Sequence, residues 1–555
     1  MLKAVELLQQ GRSEELWQMC CGYLKLSLEQ FMDIQQRLLL EQIRLLSGCT
    51  LGRKLMHGTR PETVAEFREQ VPLTTYADYC PELSEKREAP LPADPAFWVH
   101  TSGRSGDYPC KWVPITRTFA EELSTIMYGV GLLSGCREWG DTSQANSRPN
   151  IVYTVAPRPY MSGTMADMLG IQTPTHYMPP LAEAAALSFE DRIKLGFKQA
   201  LSQGLDYFFG LSMVLVVVGN KFSDSSNKVD LRPLLTQPRA LFRLARGMAK
   251  SKLAHRQMLP KDIWPVKGII SSGLDSAVYR DKIKILWGKY PLDIYASTEG
   301  GIIATQTWDY NSMTFIPSLN FLEFIPEKEH LKWRLDPGYQ PRTVLLDEVA
   351  AGESYEIALT NFHGGVLTRY RPGDMVRITS RHNEQLDINL PQMVFERRAD
   401  DLLDFVFVRL TEKTIWQAIE NTGVAYEDWT AFKKEGQPVI SLYIEPRNGY
   451  QGSGAEIAAA IREQVLRSDS QSKDTKELYR DDFAKMIDFK VEVNVLSPGA
   501  FAHFTEQRQA EGADLAHLKP PHINPSQRVL ELLTHKPAEA ARAGSGTGSE
   551  TAAVR

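Results

Sequence analysis

The chain has 555 residues and a formal net charge of −5, with 43% hydrophobic and 24% charged residues. That balance suits a globular protein of roughly two to four ordinary domains, with enough length to bury a large core without disulfides or metals. Acidic and basic residues are interspersed along the chain, which argues against a general nucleic-acid binder and its concentrated basic patch. The six cysteines (Cys20, Cys21, Cys49, Cys80, Cys110 and Cys136) include no C-x-x-C pair and no zinc spacing, so free thiols in a reducing cytosol are expected.

The first residues contain no apolar signal core. Residues 1–60 read as a helical lead-in, with Phe31, Ile34, Leu38, Ile43 and Leu46 recurring at helical spacing. From 97 to 400, short apolar strands such as 151–155, 268–270 and 292–295 alternate with helical stretches such as 275–287. This is the pattern of an α/β domain with parallel strands. The longest apolar run, 213–218, falls far short of the roughly 20 residues of a membrane helix, and its β-branched content predicts a buried strand. A soluble, cytoplasmic protein with no membrane or nucleic-acid partner is expected. Residues 301–380 read as more antiparallel, with strands near Phe315, 321–324 and 355–359. A small α+β module follows over 401–536, with strands at 439–444 and 489–495 and a helix at 455–466. Residues 468–476 read as a polar surface loop. The 537–555 tail is rich in Ala, Gly, Ser, Thr and Glu and predicts disorder.

Four segments carry chemistry. In the first, the apolar stretch 97–100 runs into Thr101-Ser102-Gly103-Arg104-Ser105-Gly106, with Lys111 beyond. Glycine lets backbone N–H groups approach phosphate closely, and hydroxyls and a lysine complete such a cradle. The NTPase P-loop pattern is absent, and an ordinary Ser/Gly surface loop has the same composition. In the second, the strand 292–295 ends in Ala296-Ser297-Thr298-Glu299-Gly300-Gly301. Ligands gather at such strand ends, where one carboxylate plus phosphate oxygens suffices for Mg²⁺; an exposed turn glutamate reads the same way. The third, Arg369-Tyr370-Arg371-Pro372-Gly373-Asp374, is either a plain Pro-Gly-Asp turn or a carboxylate poised for ribose hydroxyls. The fourth is Glu396-Arg397-Arg398-Ala399-Asp400, at the boundary of the small module.

In order and spacing these four segments resemble the motifs of the adenylate-forming superfamily of acyl-CoA synthetases, adenylation domains and luciferases. The flanks resemble more narrowly the Gretchen Hagen acyl acid amido synthetases. They are Glu66 through Tyr76, Trp264-Pro265-Val266-Lys267-Gly268, and Gly512 through Pro521 with Leu518-Lys519-Pro520-Pro521. The resemblance implies a large adenylate-forming α/β domain over 61–400, with additional β structure, and a small mobile α+β domain over 401–536, hinged near Asp400. It implies an enzyme that activates a carboxylic acid with ATP and Mg²⁺ and joins it to an amine, an amino acid in this family. The alternatives are a thioester-forming ligase of the same superfamily and a nucleotide-binding regulatory protein without catalysis.

Roles carried over by position follow the motifs. Thr101, Ser102, Gly103, Arg104, Ser105, Gly106 and Lys111 would hold the phosphates. Ser272, Gly273, Tyr295, Ala296 and Ser297 would hold the adenine side. Thr298 would touch the α-phosphate and Glu299 the metal. Asp374 and Arg398 would reach the ribose or phosphate, and Lys519 would assist adenylation, although a surface lysine reads the same. Arg158, Tyr160 and Met161 are candidates for the acyl pocket, and core packing beside a strand is the other reading of that stretch. Arg104 stands where the superfamily has threonine, and the spacing from Gly106 to Lys111 is longer than the common pattern. A monomer is expected.

Overall fold

The computed structural model describes residues 3–101, 110–225, 237–272, 276–336, 338–399, 402–405, 409–447, 453–467, 488–510 and 520–534. The loop 102–109, residues 468–476, Gly273, Asp400, Lys519 and the 537–555 tail therefore lie outside the described residues, as does the side chain of Ser272.

The chain divides into two compact units, Met1–Arg409 with Gln471–Phe489 and Leu410–Ser470 with Lys490–Arg555. The first unit begins with helices α1 (Ala4–Gln9), α2 (Ser13–Cys21), α3 (Leu28–Gly48), α4 (Thr50–Leu55) and α5 (Val64–Gln70). The start of α3 is set by a capping box in which Ser27 accepts from the Gln30 N–H and Gln30 returns the bond. Its apolar stripe buries Phe31, Leu39 and Leu46.

Strands β1 (Pro95–His100) and β2 (Trp112–Thr116) form an antiparallel pair, followed by the long helix α6 (Arg117–Gly135). The main sheet then opens with five parallel strands in the order β4-β3-β5-β6-β7. These are β3 (Asn150–Tyr153), β4 (His176–Met178), β5 (Tyr207–Leu211), β6 (Gly268–Ser272) and β7 (Leu292–Ser297). Their connections carry α7 (Met161–Gln172), α8 (Leu181–Ala184), α9 (Phe189–Gln203), α10 (Ser212–Ser225), α11 (Pro238–Leu253), α12 (Pro260–Ile263) and α13 (Ser276–Trp287). A β-carbon at Gly268 would meet Ser134 Oγ at 2.0 Å, so only glycine lets α6 lie this close to β6.

From β7 the same sheet continues antiparallel through β8 (Gly301–Thr305), β9 (Met313–Phe315), β13 (Gln392–Arg398), β12 (Asp374–Ser380), β11 (Ser354–Asn361) and β10 (Asn320–Pro326). Helix α14 (Glu327–Leu335) follows β10. The change from parallel to antiparallel after β7 matches the sequence expectation.

The 213–218 run does not match. It is the middle of α10, with Val214 and Leu215 fully buried. An apolar run with no polar face is equally a buried strand or a helix covered all round. Packing against α13, where Gly219 meets Leu286 and the Trp287 indole N–H donates to the Leu215 carbonyl, decides for the helix.

Past β14 (Leu402–Asp404) and β15 (Arg409–Thr411), the second unit holds α15 (Glu412–Glu420) and a three-stranded sheet. The sheet comprises β16 (Tyr426–Lys433), β17 (Val439–Pro446) and β18 (Lys490–Val495), with β17 antiparallel to β16 and parallel to β18. It also holds α16 (Gly454–Arg467), α17 (Ala500–Ala510) and α18 (Gln527–Thr534). It is the α+β module expected for this stretch. No helix is long and apolar enough to cross a membrane among the described residues.

Candidate active site

The carboxyl ends of the parallel strands form a polar shelf. Thr154, just beyond β3, donates to the Phe209 carbonyl at 3.0 Å. Ser212, just beyond β5, is hydrogen-bonded to Ser271 of β6. Beyond β7 the chain turns tightly into β8. Ser297 Oγ accepts from the Gly300 N–H at 2.9 Å, and Gly301 sits at φ +66°, a left-handed conformation that suits glycine. This turn orders the four residues singled out in the second motif: Ala296 is exposed, Ser297 and Thr298 are half-buried, and Glu299 is buried. A glutamate in a plain surface turn would be exposed. Here Asn361 donates to the Glu299 carbonyl at 2.9 Å and Asn320 to the Gly300 carbonyl at 2.8 Å, fixing the turn from β11 and β10.

The first motif arrives from β1. Thr101 N–H donates to the Lys111 carbonyl at 3.0 Å, and Lys111 N–H donates to Thr101 Oγ1 at 3.1 Å. Thr101 and Lys111 are thus pinned together. The phosphate-binding calls on Ser102, Gly103, Arg104, Ser105 and Gly106 fall outside the described residues. Lys111 is itself buried and donates from Nζ to the Tyr370 hydroxyl at 3.1 Å. That hydroxyl lies 3.4 Å from Glu299 Oε1, to which it donates. Tyr370 therefore links the lysine of the first motif to the carboxylate of the second. Burial, and then the neighbouring Glu299 charge, hold the Tyr370 phenol well above its ordinary pKa, so it stays a proton donor.

The third and fourth motifs meet at Asp374, the first residue of β12, which lies opposite Arg398 of β13 in the antiparallel register. Arg398 Nη1 approaches Asp374 Oδ1 at 2.5 Å and Nη2 donates to the Pro372 carbonyl at 2.9 Å. The other carboxylate oxygen accepts from the Tyr295 hydroxyl at 2.8 Å. Tyr295 is buried, with its ring centroid 6.0 Å from that of Phe395. Its phenol pKa is pushed well up by burial and then by the Asp374 charge. Asp374 is thereby held in one orientation.

Two buried ion pairs brace the segment leading into β12. Arg369 forms a fork on Glu323, with Nε to Oε2 at 2.9 Å and Nη2 to Oε1 at 2.8 Å. Arg371 does the same on Glu356, at 3.0 and 2.6 Å, with His330 Nδ1 2.7 Å from the same carboxylate. Sequence reading missed Tyr370, Glu323 and Glu356. Tyr370 stood inside a quoted motif, but nothing in its spacing signalled a link to Lys111 and Glu299.

The residues named for the acyl pocket are spread apart. Arg158 is largely exposed, 3.5 Å from Asp167 and over the Phe97 ring. Tyr160 is half-buried with its ring against His100, and Met161 is in the core at the first turn of α7. An apolar cavity lies one turn further along α7. Met165 and Ala166 from α7, Met127 from α6, Val155 from just beyond β3, and Phe209 and Ile270 from the sheet are among its lining residues.

Among the described residues there is no group of three or more His, Cys, Asp or Glu side chains that could hold a metal by itself. A single buried carboxylate is the donor set that suits Mg²⁺ shared with nucleotide phosphates, and Glu299 fits it. Lys111 and Asp374 are a cation and a carboxylate of the kinds that phosphate and ribose hydroxyls would need.

Comparison with known families gives two matches to this architecture. The GH3 family N-terminal domain matches residues 22–156, and the GH3 family central domain matches residues 313–398. Both models are of the GH3 family, and together they match less than half of the chain. The N-terminal match includes the Thr101–Lys111 region, and the central match includes Tyr370, Asp374 and Arg398.

Curated relatives of this chain include the 4-substituted benzoates-glutamate ligase GH3.12 of Arabidopsis thaliana. It is 27% identical over 239 residues, 40% of this chain and 38% of the relative. The jasmonoyl-L-amino acid synthetase JAR4 of Nicotiana attenuata is 33% identical over 180 residues, 31% of this chain and 29% of the relative. These matches span between a quarter and two-fifths of the relatives' length. Among solved structures, the AtGH3.15 acyl acid amido synthetase in complex with 2,4-DB superposes with a TM-score of 0.51 at 16% identity, covering 90% of this chain and 93% of that one. A 2-hydroxyisobutyryl-CoA ligase in its thioesterification state gives 0.51 at 14% identity, covering 85% and 87%. At such identities the likeness concerns the fold.

Proposed function

We propose that this protein is a member of the GH3 family and an ATP- and Mg²⁺-dependent ligase that activates a carboxylic acid as its acyl-adenylate and passes the acyl group to an amino acid. The observation that carries the reading is the meeting of four distant motifs in two hydrogen-bonded sets, Lys111–Tyr370–Glu299 and Tyr295–Asp374–Arg398. The choice of an amine over a thiol acceptor rests on the GH3 matches and on the amide-forming names of the curated relatives.

In the first half-reaction a carboxylate oxygen attacks the α-phosphorus, forming a P–O bond while the bond to pyrophosphate breaks. In the second, the amine nitrogen attacks the acyl carbon, AMP departs, and the nitrogen gives up a proton. Bound Mg²⁺ would supply charge neutralisation at the phosphates, and Glu299 would hold it. Lys111 supplies positive charge on the phosphate side, Thr298 reaches the α-phosphate, and Asp374 accepts the ribose hydroxyls with Arg398 beside it. The adenine side falls to Ser272, Gly273, Ala296 and Ser297, while Tyr295 acts from beneath by orienting Asp374. This is catalysis by positioning and preset electrostatics. The apolar body of the acid would enter the cavity between α6, α7 and the sheet, whose lining is almost wholly hydrocarbon; Tyr160 and Met161 would stand at the start of α7, near its entrance. The protein would work in the cytoplasm as a monomer on small-molecule substrates.

The test incubates the full chain with Mg·ATP, a panel of apolar acids, and either amino acids or CoA, following pyrophosphate release and then product masses. Amide, AMP and pyrophosphate in equal amounts are expected. A thioester with no amide would overturn the acceptor assignment, and no acid-dependent pyrophosphate release would overturn the whole reading.

A further inference from the structure

The cavity between α6, α7 and the sheet is long and uncharged. Its lining follows α7 from Met165 to Thr173, roughly 12 Å of helix. It follows β3 from Val155, beyond the carboxyl end, back to Pro149, before the amino end. None of the described lining residues is Asp, Glu, Lys, Arg or His. An ionised group buried there would have no countercharge, so the body of an acid that enters must be neutral.

The polar side chains in that wall are engaged within the protein, with one exception. Tyr153 donates to the Ala156 carbonyl at 3.3 Å, Tyr177 to the Ala166 carbonyl at 2.9 Å and Tyr207 to the Gln144 carbonyl at 2.7 Å. Thr154 and Thr173 donate to the carbonyls of Phe209 and Ser147. Asn146 donates to Asp206 and accepts from the Arg148 N–H. The exception is Tyr128 of α6, which also lines the cavity. It is 7% exposed, and its hydroxyl is buried with no hydrogen-bond partner among the described residues. A hydroxyl in that state destabilises the empty protein and calls for a partner. Burial, and then the neighbouring Cys20, push its pKa well up, so it stays a donor. Its place along the cavity follows from α7. Gln172, the last residue of α7, donates to Ser124 and Thr125 of α6 at 3.0 Å each. Tyr128 is one helical turn further along α6, so it belongs to the end marked by Thr173 and Pro149, where the strands begin.

We propose that Tyr128 is the specificity-determining residue of this cavity, donating a hydrogen bond to an uncharged acceptor oxygen that the acid carries at the end away from its carboxylate. This rests on the reading of the cavity as the acyl pocket. The substrate class is then a monocarboxylic acid with an extended, neutral hydrocarbon body and one remote ketone or ether oxygen. A plain hydrocarbon acid fits the same space but leaves the hydroxyl unpaired, and a site built to hydrogen-bond its substrate discriminates against such an analogue.

The experiment compares the full chain with Tyr128→Phe on linear acids from hexanoic to decanoic, each plain or with a ketone on its penultimate carbon, and on suberic acid. Binding is read by calorimetry in the presence of α,β-methylene ATP, which needs no catalysis, and turnover by acid-dependent pyrophosphate release with Mg·ATP. At the best chain length the keto acid is expected to bind, and to be turned over in kcat/KM, roughly tenfold better than its plain partner, the size of one hydrogen bond. Tyr128→Phe is expected to erase that preference, to bind the plain acid at least as well as the wild type, and to leave the thermal midpoint of the empty protein unchanged or raised. Suberic acid, with its second charge, is expected not to bind. A preference that survives Tyr128→Phe, equal losses for plain and keto acids, or no binding of any acid in the series overturns the inference. Turnover of plain and keto acids alike overturns it while leaving the ligase reading intact. Binding of the keto acid that depends on Tyr128 but yields no pyrophosphate overturns the ligase reading and upholds the recognition by Tyr128.

Discussion

At the scale of single residues, the site depends on buried polar groups that have one partner each way. Tyr370 is the clearest case, accepting from Lys111 and donating to Glu299. Glu299→Ala removes the only carboxylate assigned to the metal, and acid-dependent pyrophosphate release is expected to be lost; normal turnover would refute the assignment. Tyr370→Phe keeps the ring packed and removes the link. Adenylation is expected to need a higher Mg²⁺ concentration, and ATP binding by calorimetry to weaken by about tenfold, the size of one hydrogen bond to a charged group. An unchanged Mg²⁺ dependence would make the hydroxyl a spectator. Glu299 and Asp374 were legible from their motifs because strand ends and Pro-Gly-Asp turns have recognisable spacing. Tyr370's role was not, because its partners lie 259 and 71 positions away in the chain.

At the scale of elements, the segment leading to Asp374 is held by ion pairs that cost much to break singly. Arg369 has a left-handed φ of +46°, unusual for a non-glycine, and its fork on the fully buried Glu323 holds it there. Glu323→Ala leaves that guanidinium buried without its partner, and a loss of about 3–5 kcal/mol is expected, seen as a lower unfolding midpoint in denaturant. In the small unit, burial works against the charge on His522, but hydrogen bonds to Asp428 and Glu412 outweigh it and raise the pKa. A raised folded pKa contributes stability that is complete below the unfolded value of about 6.5 and is lost as pH rises through the folded value. Thermal unfolding of the wild type, against His522→Phe, is expected to show that alkaline loss only in the wild type. The helix α10 belongs to this scale too. Its Val-rich run reads as a strand by composition, and only the neighbouring α13 makes the helix the better packing.

At the scale of the molecule, two half-reactions at one site call for two sets of groups, and Lys519 is proposed to serve the first of them. Lys519→Ala is expected to slow adenylation at least tenfold more than transfer from supplied acyl-adenylate, as loss of a positioned charge would. Equal effects would make it a bystander. The sequence by itself determined the alternation of strands and helices, the later antiparallel stretch and the small α+β module, since hydrophobic period and turn residues are local properties. It also singled out the motifs proposed here to hold the chemistry, since glycines, hydroxyls and single carboxylates at strand ends are a local pattern. Tertiary structure alone decided that Asp374 and Arg398 face each other across β12 and β13, and that Lys111 and Glu299 share one phenol. It alone decided that the apolar cavity opens beside Met165 rather than at Arg158. Those outcomes depend on register and on which buried surfaces meet, and a chain reveals neither until distant segments are packed together.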